Sequence, residues 1–275
     1  MPITVHGFGA TWNAPAGAHP LALVLNRGLR VVGVSFVDRT ADQGSSVTCQ
    51  GDSSGRHTFV LDRVSIDAAD LPVRMGLCAA SIVRSSIHSH GTSRSMSISH
   101  PSSMSIDRTL IDGGGGIAAV GGLTAAIQIT NSVIANQTGN ALQSINQAEV
   151  GMGRISVRFT TIINSSVSCP QLSGLIGIYN SIVLNQGSGA PADTISGAGC
   201  TVSYTTVFPQ RTTLSGDHDK LDVDPLLKDP ANGDYHLTSA SPAVDAAGET
   251  GTPDSDGAAR PQGARSDTGA FELVP

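Results

Sequence analysis

Aliphatic and aromatic residues recur along this chain in pairs set five positions apart. The pairs are Val31/Phe36, Leu61/Ile66, Ile82/Ile87, Ile106/Ile111, Ile129/Ile134, Val157/Ile162, Ile178/Val183 and Val202/Val207. Successive pairs start 21 to 30 residues apart. Two positions before each pair stands Leu29, Phe59, Ala80, Met104, Ile127, Ile155, Ile176 or Cys200. Residues two apart share a face of a strand, and residues five apart do not. The chain must therefore bend inside each pair, so that both flanking strands face one interior. In "IQITNSVIANQ" the bend falls at Asn131-Ser132, and Asn180 holds the matching place in "IYNSIVLN". Asn tolerates the left-handed backbone that corners often need. Three positions into the repeat the residue is Val34, Val64, Ser85, Thr109, Ser132, Thr160, Ser181 or Thr205, small or hydroxylic in all but the first two.

Short strands repeating at this period make one coil of a solenoid. An apolar period of two excludes helical repeats, and the L-x-x-L-x-L spacing of leucine-rich repeats is missing. The pattern predicts an all-β fold, a single-stranded parallel β-helix of about eight coils over residues 29–210. Coils would stack about 4.8 Å apart and bury columns of like side chains. Residues 1–28 include "GAHPLALVLNRG", a strand or short helix, and are expected to form an N-terminal cap over the open end. Beyond Gln210 the composition turns to Asp, Gly and Pro, which predicts a C-terminal capping module over 211–275.

The repeats "ITNSVIAN" and "IYNSIVLN" resemble those of pectate-lyase-like proteins. That resemblance implies a right-handed β-helix. The segment "DPLL…DPANGDYHL…SPAVDAAG…DSDG..RPQG…DTGAFE" resembles the choice-of-anchor Q modules of exported bacterial proteins, some of them surface-anchored. It implies an exported or cell-surface location and supplies no catalytic residues.

Composition narrows the partners. Charged residues are 14% of the chain, against about 25% in ordinary domains. The net charge of -6 argues against a nucleic-acid partner, which wants a basic face. No apolar run approaches the ~18 residues of a membrane span. The N-terminal "MPITVHGFGATWN" has no signal-peptide pattern, so an exported protein would need its signal elsewhere. Aromatic residues are 4%, leaving Trp12, Phe159, Tyr179 and Tyr204 as candidate platforms for sugars. Cys49 and Cys78 occupy similar phases in neighbouring coils, which fits a disulfide, whereas Cys169 and Cys200 share no phase, which supports that pairing less. Four buried thiols are the other reading.

Four groups could carry chemistry. Arg63, Arg84 and Arg108 form a column at the corner, with Asp62 and Asp107 one position earlier and two rungs apart. Two rungs are about 9.6 Å, near the ~6.5–9.5 Å carboxylate separation of inverting glycosidases. The family resemblance adds arginine as base or carboxylate clamp in polyuronate lyases. The plainer reading is a solvated Asp/Arg ladder. Val83 interrupts the Asp column, and the paired "DD" of related hydrolases is absent. His88, His90 and His100 lie in a Ser-rich stretch that reads as a solvated loop, although H-x-H on a strand could supply metal ligands. Asp217, Asp219, Asp222, Asp224 and Asp229, with Asp254 and Asp256, offer oxygen ligands of the kind calcium takes, or simply form turns. Gly113 to Gly116 lacks the Lys and helix of a phosphate loop and reads as a turn.

The sequence thus points first to a non-enzymatic stalk, adhesin or glycan-binding module. The alternative is a polysaccharide lyase or hydrolase acting on an acidic glycan along the side wall. The partners expected are a polysaccharide or a surface protein.

Overall fold

The computed structural model describes residues 3–13, 21–24, 28–38, 45–51, 57–99, 101–121, 125–147, 151–169, 175–186, 191–214 and 216–274. The chain winds as a parallel β-solenoid of about seven turns, against about eight expected. The turns build three stacked sheets of nine, ten and seven strands, and in the upper turns the third side is the separate pair Val167–Ser168 and Ile195–Ser196. In the third sheet, Gly151–Met152 runs antiparallel to Leu142–Gln147, while the other neighbours are parallel. The sole helical element among the described residues is the 3-10 turn Pro230–Asn232. None is long and apolar enough to cross a membrane.

The repeat legible in the sequence is the register of the stack. In the first sheet Val31, Leu61, Ile82, Ile106, Ile129, Val157, Ile178 and Val202 are successive partners. Their mates five residues on form the matching column of the second sheet, from Phe36 to Val207. Every member of both columns is buried. A one-residue slip in any coil would turn its whole apolar set outward, so the pattern pins the register.

Residues expected to form a cap supply another rung. Ile3–His6, Thr11–Asn13 and Leu21–Val24 pair in parallel with the next coil, setting Val5 beside Val31 and Trp12 beside Phe36. Val5 is 40% and Trp12 50% exposed, since this rung is stacked on one side only.

The corner between the first two sheets has one backbone solution. The residue two after each column member takes positive φ: Gly33, Arg63, Arg84, Arg108, Asn131, Phe159, Asn180 and Tyr204, all between 46° and 65°. A left-handed turn costs a non-glycine residue roughly 1–2 kcal/mol. Two kinds of bond offset it. Each corner amide donates to a carbonyl of the adjoining coil, as Arg84 does to Asp107 at 3.0 Å. The next residue's hydroxyl donates back along its own chain, Ser85 to the Val83 carbonyl and Ser132 to that of Thr130. The same oxygen accepts the amide one coil below in Val64→Ser85, Ser85→Thr109, Thr109→Ser132 and Thr160→Ser181. The hydroxylic third position is thus a buried ladder that satisfies otherwise orphaned amides. Gly113 to Gly116 form the predicted turn. Gly113 has φ 73° and faces the Ser89 carbonyl so closely that a Cβ has no room.

The C-terminal segment was expected to fold against the last coil. Residues 217–222 do so, with Lys220–Leu221 adding a tenth strand to the second sheet. The rest lies along the outer face of that sheet. Strands Val133–Ala135, Thr161–Ile163 and Ile182–Leu184 are buried on both faces. Their outward Val133, Ala135, Ile163, Ile182 and Leu184 form a second core with Leu227, Leu237, Ala243, Ala270 and Phe271.

Both disulfides form, Cys49–Cys78 with Cα atoms 6.4 Å apart and Cys169–Cys200 at 5.2 Å. The second corrects the sequence expectation, because the two bridges share one geometry. Cys49 is level with Met75, and Cys78 stands three residues after it. Cys169 follows Ser168, which is level with Ser196, and Cys200 stands three residues after Gly197. The phase was hidden because each bridge joins the third run of strands to the first, and the connections leading into the third run differ in length from coil to coil. The bridged residues lie 29 and 31 apart. Closing loops of that size stabilises by about 3.5 kcal/mol each. Denaturant unfolding with and without reductant should show a loss of that order per bridge. The Cys49→Ser/Cys78→Ser variant should lose about half of the total.

Candidate functional site: an arginine groove at one corner

Left-handed corner residues project outward, so their identities decide what each coil shows to its surroundings. In the upper coils they anchor the C-terminal module. Asn131 Nδ2 donates to Thr252 Oγ1 at 2.8 Å. Asn180 accepts from the Gly248 amide at 2.7 Å and donates to Glu249 Oε1 at 2.9 Å. The Arg260 guanidinium lies 4.9 Å over the Phe159 ring, and that of Arg265 lies 5.7 Å over Tyr204. Two of the proposed sugar platforms are therefore covered. Tyr179 carries Arg158 at 4.6 Å, and Trp12 stacks on Phe36 at 5.9 Å.

In the lower coils the corner residues are Arg63, Arg84 and Arg108, and the module stops short of them. They open into a groove of about 410 Å³ whose floor includes Ser65, Ser86 and Leu110, with Ser255 of the module at its rim. Side-chain exposure falls along the column from 60% to 44% to 30%. Asp62 is not part of a solvated ladder: it is fully buried, the base on which the guanidiniums rest. Arg84 grips one of its oxygens with Nη2 at 2.6 Å and Nε at 3.1 Å. Arg30 takes the other at 2.5 Å, and Arg63 lies at 3.6 Å. Asp107 accepts from Arg108 at 3.0 Å, and from Thr130 and Asn131 at 2.9 Å each. Asp62 and Asp107 are two rungs apart, each level with Val83. With no accessible carboxylate, Asp62 cannot meet a glycan as acid or base. Four arginines over two carboxylates leave two positive charges in excess at this corner. Arg30 was missed by sequence reading. Its signal is its outward parity one position before the first column.

The loop reading fails for His88. His88 lies on strand Ser86–Ser89 and faces outward, level with Asp67 below and Asp112 above. His90 follows the strand and meets Asp67 at 2.6 Å. His100 lies outside the described residues. The carboxylates that the segment itself lacks come from neighbouring rungs, which sequence distance concealed.

The aspartates of 217–229 each serve a separate local contact. Asp219 accepts from the Thr205 amide, Asp222 from that of Gln210, and Asp224 from that of Leu226. The Asp217 carbonyl receives Tyr204, and Asp229 holds Asn232. Among the described residues no three His, Cys, Asp or Glu side chains are placed to hold one ion. Asp254, Arg260, Asp267 and Glu272 of "DSDG..RPQG…DTGAFE" form the module's own interior, while exposed Asp256 meets His236 Nε2 at 2.8 Å. Arg260 and Glu272 pair at 2.8 Å with no side-chain exposure. Arg260 also donates to the carbonyls of Asp267 and Gly269. Glu272 accepts the amides of Gln262 and Asp267, while Asp254 accepts those of Asp256, Ala258 and Glu272.

Removing one partner of such a buried pair costs about 3–5 kcal/mol. Glu272→Gln should lower the stability measured by denaturant unfolding by that amount. A pH-dependent loss should come from Asp219, whose second carboxylate oxygen is buried without a partner. Burial pushes its pKa from 3.8 up to about 6. The protonated form is favoured in the fold, so stability is highest below pH 3.8 for this group and declines as pH rises through 6. After allowance for solvent screening, Asp219→Asn should raise stability by about 1–2 kcal/mol at neutral pH and change it little in acid. Thermal unfolding in the two buffers measures the difference.

No family model matches the chain, and no curated protein matches it. Its likeness to pectate-lyase-like repeats and choice-of-anchor Q modules rests on the sequence motifs alone, and the corner groove stands on its geometry.

Proposed function

We propose that this is an exported, non-catalytic module that holds an acidic polysaccharide along the Arg63/Arg84/Arg108 groove. The observation that carries the reading is the set of three guanidiniums on successive rungs, partly exposed, with Arg63 and Arg84 steadied from beneath by buried Asp62 and Arg108 by Asp107. Guanidinium groups clamp carboxylates and sulfates through paired, charge-assisted bonds. Rungs about 4.8 Å apart present them as a regular row, suited to a polymer rather than to a single small anion. The groove is open, as a chain running across it requires. Two disulfides fit an oxidising location. A hydrolytic site on Asp62 and Asp107 lacks support, because the first carboxylate is sealed under three arginines.

Sedimentation or calorimetry with a panel of carboxylated, sulfated and neutral polysaccharides tests this. Binding to acidic polymers should weaken as salt rises. Arg63→Gln and Arg108→Gln should each weaken it about tenfold, as expected for the loss of a charged hydrogen bond. Equal binding of neutral glycans, or no effect of either substitution, would reject the reading. Release of unsaturated sugars would replace it with a lyase.

A further inference from the structure

Beside the arginine groove lies a second row of polar groups. On the outer face of the second sheet Asp67, His88 and Asp112 form one column on three successive rungs. Each stands two residues along its strand from Ser65, Ser86 or Leu110, which line the groove. That step is about 6.6 Å, so the row and the groove floor belong to one surface. Higher in the stack the same column is Ala135, Ile163 and Leu184, sealed beneath the C-terminal module. The polar row therefore begins where the cover ends.

Its members are held in defined positions. His88 Nδ1 and Asp112 Oδ2 are 3.3 Å apart, and Asn136 Nδ2 donates to the other Asp112 oxygen at 2.8 Å. His90 Nε2 and Asp67 Oδ1 are 2.6 Å apart. Exposure is 38% for His88, 34% for Asp112 and 23% for Asp67, so the groups are both fixed and reachable.

The row carries chemistry opposite to that of the groove. Carboxylates accept hydroxyl hydrogens, and an imidazole already fixed at one nitrogen offers its other to a second hydroxyl. Phosphoryl oxygens have no hydrogen to give them, and Asp67 and Asp112 repel their charge. We propose that the Asp67–His88–Asp112 row, with His90, is the hydroxyl-reading half of this site and restricts its ligand to acidic carbohydrate over anionic polymers without hydroxyls. The inference rests on the acidic-polysaccharide reading above. Recognition of one class is paired with a built-in penalty against the other.

The hydrogen bond to Asp112 raises the His88 pKa against the opposing effect of burial, and Asp112 and Asp67 add to the rise electrostatically. His88 thus keeps its proton to higher pH than a free imidazole does. While it is charged it partly neutralises the two carboxylates. The other charged or titratable groups around the row are His90, Asp70 through Ser93, Tyr235 of the module, and the corner arginines.

The test compares polygalacturonate with inorganic polyphosphate at matched charge concentration, by calorimetry near neutral pH. The unmodified protein should favour the polysaccharide by about tenfold or more, the worth of one well-made hydrogen bond and one like-charge repulsion. Asp67→Asn/Asp112→Asn should close most of that gap, chiefly by gaining polyphosphate affinity. His88→Gln should weaken polysaccharide binding several-fold. His90→Gln, at a more exposed position, gives a second reading should His88→Gln disturb folding, which thermal unfolding reports. Equal affinity of the unmodified protein for both polymers overturns the proposal, as does an unchanged ratio in the Asp double variant. If only the arginine reading is wrong, Arg63→Gln and Arg108→Gln will leave both affinities intact while the row variants still alter their ratio. Absence of binding to either polymer rejects both proposals.

Discussion

The left-handed corner between the first and second sheets is the constraint on which the rest of this molecule depends. It reverses side-chain parity within each coil, so that strands on both sides of it present apolar residues to one interior. Repeated at Gly33, Arg63, Arg84, Arg108, Asn131, Phe159, Asn180 and Tyr204, it sets the register of nine rungs in the first sheet and the rungs that follow in the second. Only one of these residues is glycine. The others adopt a conformation unfavourable to them because the adjoining coil receives their amides and because the buried hydroxyl ladder satisfies the next amide in turn. The strain is local and the compensation comes from the stack, so an isolated coil would not hold the corner.

The same geometry makes the corner a row of outward-pointing side chains. What occupies the row divides the molecule. Where it offers Asn131, Phe159, Asn180 and Tyr204, the C-terminal module docks through amide contacts and cation–π stacking. Where it offers arginine, the module ends and the groove opens. The boundary is matched on the neighbouring sheet face, where outward residues change from Asp67, His88 and Asp112 to Ala135, Ile163 and Leu184. Cover and groove are two consequences of one alternation along the solenoid axis.

Charge is also sorted by depth. Arg260 and Glu272 are sealed inside the module, where backbone carbonyls and amides bond to all their polar atoms except Arg260 Nε. Asp62 is equally buried, but its partners reach the surface. The first arrangement organises irregular chain that has few strands of its own. The second holds flexible arginine side chains in one place, which lessens the conformational entropy a ligand would have to remove on binding.

The sequence by itself determined the coil, the bend within it and the column of each apolar residue, because those follow from a period of two broken once per repeat. It determined the corner at Asn131 and the hydroxyl position beside it for the same reason. Tertiary structure alone decided which distant residues share a rung surface. His88 has Asp67 and Asp112 as neighbours only after coils of 21 and 24 residues close, and Cys169 reaches Cys200 only once Val167–Ser168 and Ile195–Ser196 pair between coils. It also decided that Ile163 and Leu184 look outward yet are buried, since nothing near them in sequence announces the C-terminal segment that covers them. A repeat declares its own periodicity along the chain, whereas contacts between columns and with the module depend on loop lengths and docking that no local pattern encodes.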